Sequence, residues 1–222
     1  MKAAVSWSGG KDSCAAYYRA MSQGIEVTHL VQFINGPDPS HITHGVSPDL
    51  VALQAEAMGL PLIQKVVQWE TYNAGFAEVF SELKPTGVEK VIFGDIADLR
   101  MAWLRPMCAG ADVEPIFPLF GGDRGELIHD WLNSGYEAII TGVKRDVIST
   151  RWLGHKVDRR FINRLRQLGN VDLCGENGEY HTFVVDGPAF RKRVHFPQKA
   201  KHYKDGCQAF LDVSEYELVP KK

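Results

Sequence analysis

The chain contains no apolar run that approaches the ~20 residues of a membrane span, which excludes a membrane-spanning helix at the level of sequence. It has no Cys-x-x-Cys pair; its four cysteines, Cys14, Cys108, Cys174 and Cys207, are scattered. That scatter argues against a four-cysteine zinc site or a redox dithiol and fits a reducing cytoplasm. The opening Met-Lys-Ala-Ala-Val passes straight into a strand pattern and lacks the apolar segment of a signal peptide. Repeats, low-complexity tracts and obvious linkers are also missing. What remains is the composition of an ordinary globular protein of 222 residues, 45% hydrophobic and 23% charged. A chain of that size buries roughly 70% of its unfolded surface and needs neither disulfide nor metal to fold.

The net charge of −2 conceals an asymmetry. Residues 144–204 hold 14 Lys/Arg against 6 Asp/Glu, a balance of +8; the remaining 11 basic and 21 acidic residues give −10. The excess either covers solvated helix faces or meets an anionic partner.

Short Val/Ile-rich runs alternate with helical patterns through the first half. Strands are expected at Ala3–Trp7, Val27–Ile34, Leu62–Val67 and Lys90–Gly94, and helices at Ser13–Gln23, Pro48–Met58 and Ala74–Leu83. The alternation continues through helices at Arg100–Ala109 and Gly125–Asn133 and strands at Glu114–Phe120 and Glu137–Val143. Such βαβ units imply a Rossmann-like parallel sheet with helices on both faces. After about residue 144 the pattern changes to a basic helix, roughly Asp158–Leu168, and strand-like segments near Arg193–Phe196 and Cys207–Val219. These suggest a smaller C-terminal α+β lobe. The division expected is a first domain over residues 1–97 and a C-terminal lobe over 98–222.

Ser8-Gly9-Gly10-Lys11-Asp12-Ser13 follows the first strand, where ligands sit in parallel α/β sheets. The two glycines permit tight turns and close approach to a ligand. The loop amides and the start of the next helix favour an anion. Ser8 and Ser13 add hydroxyls, Lys11 is a mobile cation for a polyphosphate, and Asp12 could hold Mg²⁺. The spacing G-x-x-x-x-G-K-[ST] of the NTP-hydrolysing P-loop is absent; if the loop holds ATP, it presents a different phosphorus to attack.

SGGKDS at the first strand resembles the PP-loop of the adenine-nucleotide alpha-hydrolase, or N-type ATP pyrophosphatase, superfamily. The resemblance implies a grip on the β,γ-pyrophosphate and cleavage to AMP and pyrophosphate. Gly94-Asp95-Ile96, Arg100, Phe117-Pro118-Leu119-Phe120, Gly135-Tyr136-Glu137-Ala138, Leu153-Gly154 and CGENGEYHTFVVDGP (Cys174–Pro188) are similar, in this order, to the diphthine–ammonia ligase family. That family is taken to adenylate the carboxylate of diphthine, a modified histidine of elongation factor 2, and to displace AMP with ammonia. Eukaryotic members generally carry an acid where His181 stands. Thr43-His44-Gly45-Val46 and the Asn-Gly of GENGEYHTF look like the prokaryotic branch.

Within Cys174–Pro188 an extended stretch from Glu179 would put Glu179, His181 and Phe183 on one face. An amide-forming ligase must bind the amine and remove a proton from it. Glu176 and Glu179 suit a cation site, with His181 as base or substrate contact. Gly94 and Asp95 are expected at the nucleotide, where Asp95 either touches Mg²⁺ or ribose or caps the next helix. The resemblance adds His44, Arg100, Tyr180 and Thr182 as substrate contacts. His41 and His44, three apart with no carboxylate or cysteine near, do not make a metal site. Cys174 reads as a buried structural thiol. No glutaminase segment is evident, so nitrogen is expected from free ammonium or a separate partner. The acceptor is an elongation factor 2-like protein or another carboxylate; tRNA, or nucleotide binding without turnover, are the alternatives. No membrane partner is expected, and a homo-oligomer is compatible with the reading.

Overall fold

The computed structural model describes residues 1–36, 45–197, 201–204 and 207–221. The chain forms two compact units. The first takes residues 1–8, 12–42 and 60–121; the second takes 9–11, 43–59 and 122–222.

The first unit is a five-stranded sheet built from β1 (Lys2–Ser6), β2 (Glu26–Asn35), β3 (Leu62–Val67), β4 (Val88–Ile92) and β5 (Glu114–Ile116). Its strand order is β3-β2-β1-β4-β5 and every neighbouring pair is parallel. The central strand reads KAAVS, with Ala3, Ala4 and Val5 fully buried, as a strand covered on both faces requires. Helix α1 (Lys11–Ser22) follows β1, while α3 (Tyr72–Leu83) and α4 (Met101–Gly110) precede and follow β4. With right-handed crossovers, reversing direction between β1 and β4 puts α1 on one face and α3 and α4 on the other. On the latter face Phe76, Val79, Phe80 and Leu83 of α3 and Leu104, Met107 and Cys108 of α4 close over Ala4, Val31, Val88 and Val91. Burial in this apolar layer pushes the Cys108 thiol up to about 12, so it stays protonated.

The second unit carries α2 (Pro48–Met58), α5 (Arg124–Asn133), α6 (Arg159–Leu168) and β6 (Glu137–Lys144). Strand β6 does not extend the parallel sheet. It sits in an antiparallel one, ordered β7-β6-β10-β9, with β7 (Tyr180–Asp186), β10 (Gln208–Leu211) and β9 (Lys201–Lys204). A strand buried on both faces, as β6 is from Ala138 to Val143, has the same apolar run in either kind of sheet. Strand β8 (Arg193–His195) pairs with β11 (Glu217–Val219). Among the described residues no helix is long and apolar enough to cross a membrane.

The caps explain why several boundaries are sharp. Ser47 accepts from the Leu50 amide ahead of Pro48, and Gly59 closes α2 in the left-handed conformation at φ 69°. Asp123 and Asp158 cap α5 and α6 through the Glu126 and Phe161 amides.

Candidate functional site

In the first unit, the carboxyl ends of β1 and β4 lie side by side at the point where strand order reverses. This is where open α/β sheets hold their ligands. The Ser8 and Ser13 hydroxyls stand 3.2 Å apart across the start of the loop. Gly94 closes the same spot from β4: a Cβ there would lie 2.8 Å from both the Asp12 carbonyl carbon and the Ser13 nitrogen. Only a residue without a side chain lets the β4 end approach the helix start so closely. Asp95, whose side chain is 10% exposed, accepts from Arg100 Nε and Nη2 through one oxygen, each at 2.7 Å. Asp95 therefore engages Arg100, and Ala97 occupies the cap of the next turn.

In the second unit, loop residues 9–11 are held by strand β7 and helix α2. Gly9, at φ 80°, presents its carbonyl to the Val184 amide at 2.9 Å and to Gln54 Nε2 at 3.0 Å. Gln54, fully buried, also donates to the Val184 carbonyl at 2.6 Å. The Lys11 amide, first of α1, donates to Thr182 Oγ1 at 3.0 Å, so a hydroxyl of β7 satisfies one of the helix's leading N–H groups. The Lys11 side chain, expected to be mobile, is buried at 4% exposure. Its Nζ donates to the Cys174 carbonyl and lies 5.0 Å from the centroid of the Tyr180 ring.

The segment 172–180 folds around Glu179. One carboxylate oxygen accepts from the Asp172 amide at 3.0 Å and Asn177 Nδ2 at 3.2 Å; the other accepts from the Asn177 amide at 3.0 Å. Buried and ringed by three donors, Glu179 braces its own loop. Tyr180 and Thr182 also turn inward, at 2% and 3% exposure, with the Tyr180 hydroxyl on the Leu173 carbonyl. Glu176 is half-buried and its charge reaches Arg124; burial works against the Arg124 cation, and Asp172 with Glu176 outweighs it. Cys174 is buried, as expected for a structural thiol. His44 lies outside the described residues.

His181 is half-buried and stacks on Phe210, ring centroids 6.1 Å apart. Burial, and then the Lys11 charge, lower its pKa from 6.5 to about 4, so the imidazole is neutral near pH 7. Its group titrates at 6.5 in the unfolded chain and at about 4 in the folded one, so between those values the unfolded chain holds the extra proton. The stability it contributes is therefore full above pH 6.5 and drains away as the pH falls toward 4. At about 1.4 kcal/mol per pKa unit, about 2–3 kcal/mol should be gone by roughly pH 4.5. Urea midpoints at neutral and acid pH for wild type and His181→Asn check this. The variant should lose less stability on acidification by about that amount; equal losses would contradict the placement.

The arrangement thus brings Lys11, Cys174, Glu179, Tyr180, His181 and Thr182 together in one unit. It joins Ser8, Asp12, Ser13, Gly94, Asp95 and Arg100 in the other. Thr182 and Val184 of the Cys174–Pro188 motif hold Lys11 and Gly9 of the loop directly. Gln54 escaped the sequence reading. Its one visible signal is an amide side chain among the apolar residues Leu50, Val51, Ala55 and Ala57 of α2.

The family described as "Diphthamide synthase N-terminal domain" matches residues 1–114, and "Diphthamide synthase C-terminal domain" matches 123–219. The chain is 26% identical over 211 residues to a diphthine–ammonia ligase of Danio rerio, covering 84% of this chain and 83% of that protein. It is 25% identical to the diphthine–ammonia ligase of Mus musculus, covering 100% and 94%. The Schizosaccharomyces pombe protein of that name is 28% identical over 93% of this chain and 38% of its own length. Among solved structures, one described as a predicted subunit of tRNA methyltransferase from Methanocaldococcus jannaschii aligns with TM-score 0.46 and 17% identity. It covers 85% of this chain and 98% of that one.

Proposed function

Because the chain belongs to the diphthamide synthase family, matched over both of its domains, we propose that it is an ATP-dependent amide ligase acting on diphthine or a related carboxylate. The observation that carries the reading is the seating of the SGGKDS loop at the reversal point of the parallel sheet, with Gly94 against Asp12 and Ser13.

The substrate carboxylate attacks the α-phosphorus of ATP, the bond from that phosphorus to the α,β-bridging oxygen breaks, and pyrophosphate leaves. Ammonia then attacks the acyl carbon, AMP departs with the original carboxylate oxygen, and the nitrogen gives up one proton. In this reading Glu176, half-buried and within the electrostatic reach of Arg124, holds ammonium and takes the proton that frees ammonia, and the proton lost on amide formation passes to water. Glu179 serves as a positioning residue through the loop it braces, and neutral His181 as a hydrogen-bonding contact. Magnesium would arrive with the ATP phosphates, whose charge it neutralises. Asp12, half-buried in the first turn of α1, is the carboxylate to hold it, since Mg²⁺ commonly takes one or two carboxylates besides phosphate and water. Among the described residues no group of three or more His, Cys, Asp or Glu is gathered for a metal.

A second acceptor class draws support from one surface. The C-terminal arginine excess lines a cleft of about 590 Å³ with Arg151, His155, Arg160, Asn163 and Arg164, a setting suited to the phosphates of tRNA. Either acceptor places the reaction in the cytoplasm. The test is incubation with ATP and ammonium while a diphthine-bearing elongation factor, small carboxylates and total tRNA are offered in turn. Acceptor-dependent AMP and pyrophosphate are expected, with the diphthine protein the best acceptor. ADP and phosphate as the main products would refute the reading, and turnover with tRNA alone would select the second acceptor.

A further inference from the structure

The first unit carries a group of aromatic side chains that the chemistry above leaves unused. Trp69 lies in the 3-10 turn directly after β3, Tyr72 begins α3, and Trp103 sits in the first turn of α4, all at the carboxyl edge of the sheet. Their rings converge: Trp69 and Trp103 have centroids 5.4 Å apart, Tyr72 and Trp103 5.0 Å, Trp69 and Tyr72 6.5 Å. None lies parallel to another, the interplanar angles running from 36° to 62°. The cluster is fixed from behind, since Trp103 Nε1 donates to Asn73 Oδ1 at 3.0 Å and Tyr72 packs on Phe33 at 4.9 Å. Its outer member is open: Trp69 is 68% exposed.

Charge lies beside the rings. Burial pushes the Tyr72 phenol up to about 12, and the charges of Arg100 and Asp95 both act on it. Arg100, 58% exposed, is held by Asp95 through Nε and Nη2 and brings a guanidinium to the same edge. An electron-rich aromatic corner next to a guanidinium matches a zwitterion with a bulky cation and a carboxylate close together. Quaternary ammonium is the cation best suited to aromatic faces, since it cannot donate hydrogen bonds and loses little hydration there.

We propose that Trp69, Tyr72 and Trp103 bind a quaternary ammonium group while Arg100 holds the carboxylate beside it, making this edge a betaine subsite. The inference rests on the reading above, because diphthine carries a trimethylammonium on the same carbon as the carboxylate to be amidated. The subsite would select that acceptor over other carboxylates before any ATP is cleaved.

Tryptophan fluorescence titration tests it without turnover, with glycine betaine as the probe and two comparisons. 3,3-Dimethylbutyrate has the same shape and carboxylate but carbon in place of the charged nitrogen; choline keeps the ammonium and lacks the carboxylate. Saturable binding of glycine betaine is expected, with each comparison weaker by about tenfold. Trp69→Ala, at an exposed position, should weaken glycine betaine and choline alike by about tenfold. Arg100→Gln should weaken glycine betaine and leave choline unchanged. Equal binding of 3,3-dimethylbutyrate, no saturable binding, or indifference to Trp69→Ala would overturn the proposal. A protein that binds betaine and yields no AMP would refute the ligase reading alone. One that forms amide from diphthine without telling betaine from its carbon isostere would refute the subsite alone.

Discussion

A Lys11→Met protein should form AMP at least about a hundredfold more slowly than the wild type, and its His181 should titrate closer to 6.5. A preorganised cation at the phosphates is typically worth 10²–10³ in rate. Methionine keeps the length and apolar stem of the side chain while removing the charge. The fold has its own stake, because the ammonium donates to the Cys174 carbonyl inside the second unit. Losing that charge-assisted bond costs about 1.5–3 kcal/mol, partly offset because a desolvated charge goes with it. The sequence alone suggests a mobile side chain that reaches to ligand; the buried amine gives it a part in the fold as well. AMP release measured beside an NMR titration of the His181 ring separates the effects. An unchanged rate would remove Lys11 from the chemistry, and an unmoved His181 titration would contradict the proximity of the two side chains.

Gly94→Ala should be the most damaging single methyl group in the first unit. The new Cβ would stand 2.8–2.9 Å from the Asp12 carbonyl carbon and oxygen and the Ser13 nitrogen, all backbone atoms with no rotamer to turn aside. Either β4 retreats or the start of α1 does. Overpacking of this kind costs about 1–3 kcal/mol, and the displaced atoms are those of the candidate phosphate loop. Since a displacement of about 1 Å in a catalytic constellation costs roughly a hundredfold, AMP formation should fall by that or more. Urea unfolding and AMP release report the two losses. A Gly94→Ala protein matching the wild type in both would show that the close approach is unimportant.

What was legible in the sequence depended on how local its cause was. Helix α2 and strand β3 are found at the residues expected, because Ser47, Pro48 and Gly59 mark the helix ends and the neighbouring Gly-Leu-Pro isolates the strand. Strand β5 stops at Ile116 and not at Phe120: Phe117, Leu119 and Phe120 continue the apolar run, but Pro118 gives no ladder donor. The segment expected near Cys207–Val219 breaks into two strands, Gln208–Leu211 and Glu217–Val219, belonging to different sheets. The parallel sheet follows from alternation of patterns. The antiparallel home of β6 does not, since its partners lie tens of residues away and impose no local period. In the site, the loop after β1 announces itself by composition. The inward turn of Lys11 and the clamp by Gln54 arise from contacts across 163 and 130 residues, which no spacing rule encodes. Glu179 illustrates the same limit. A carboxylate in a Gly-rich loop reads equally as a cation site or a brace, and only the three amide groups around it decide the second.

The grip of Val184, Gln54 and Thr182 on residues 9–11 also has a history in time. The hydroxyl that receives the Lys11 amide is encoded 171 residues after the loop itself. At translation rates of roughly 5–20 residues per second, that is about ten to thirty seconds of waiting. During this interval β1 and its parallel neighbours can assemble, and Gln54 can reach the Gly9 carbonyl, while the contacts of Gly9 with Val184 and of the Lys11 amide with Thr182 are still unmade. The geometry of residues 9–11 is therefore finished late, with the emergence of β7.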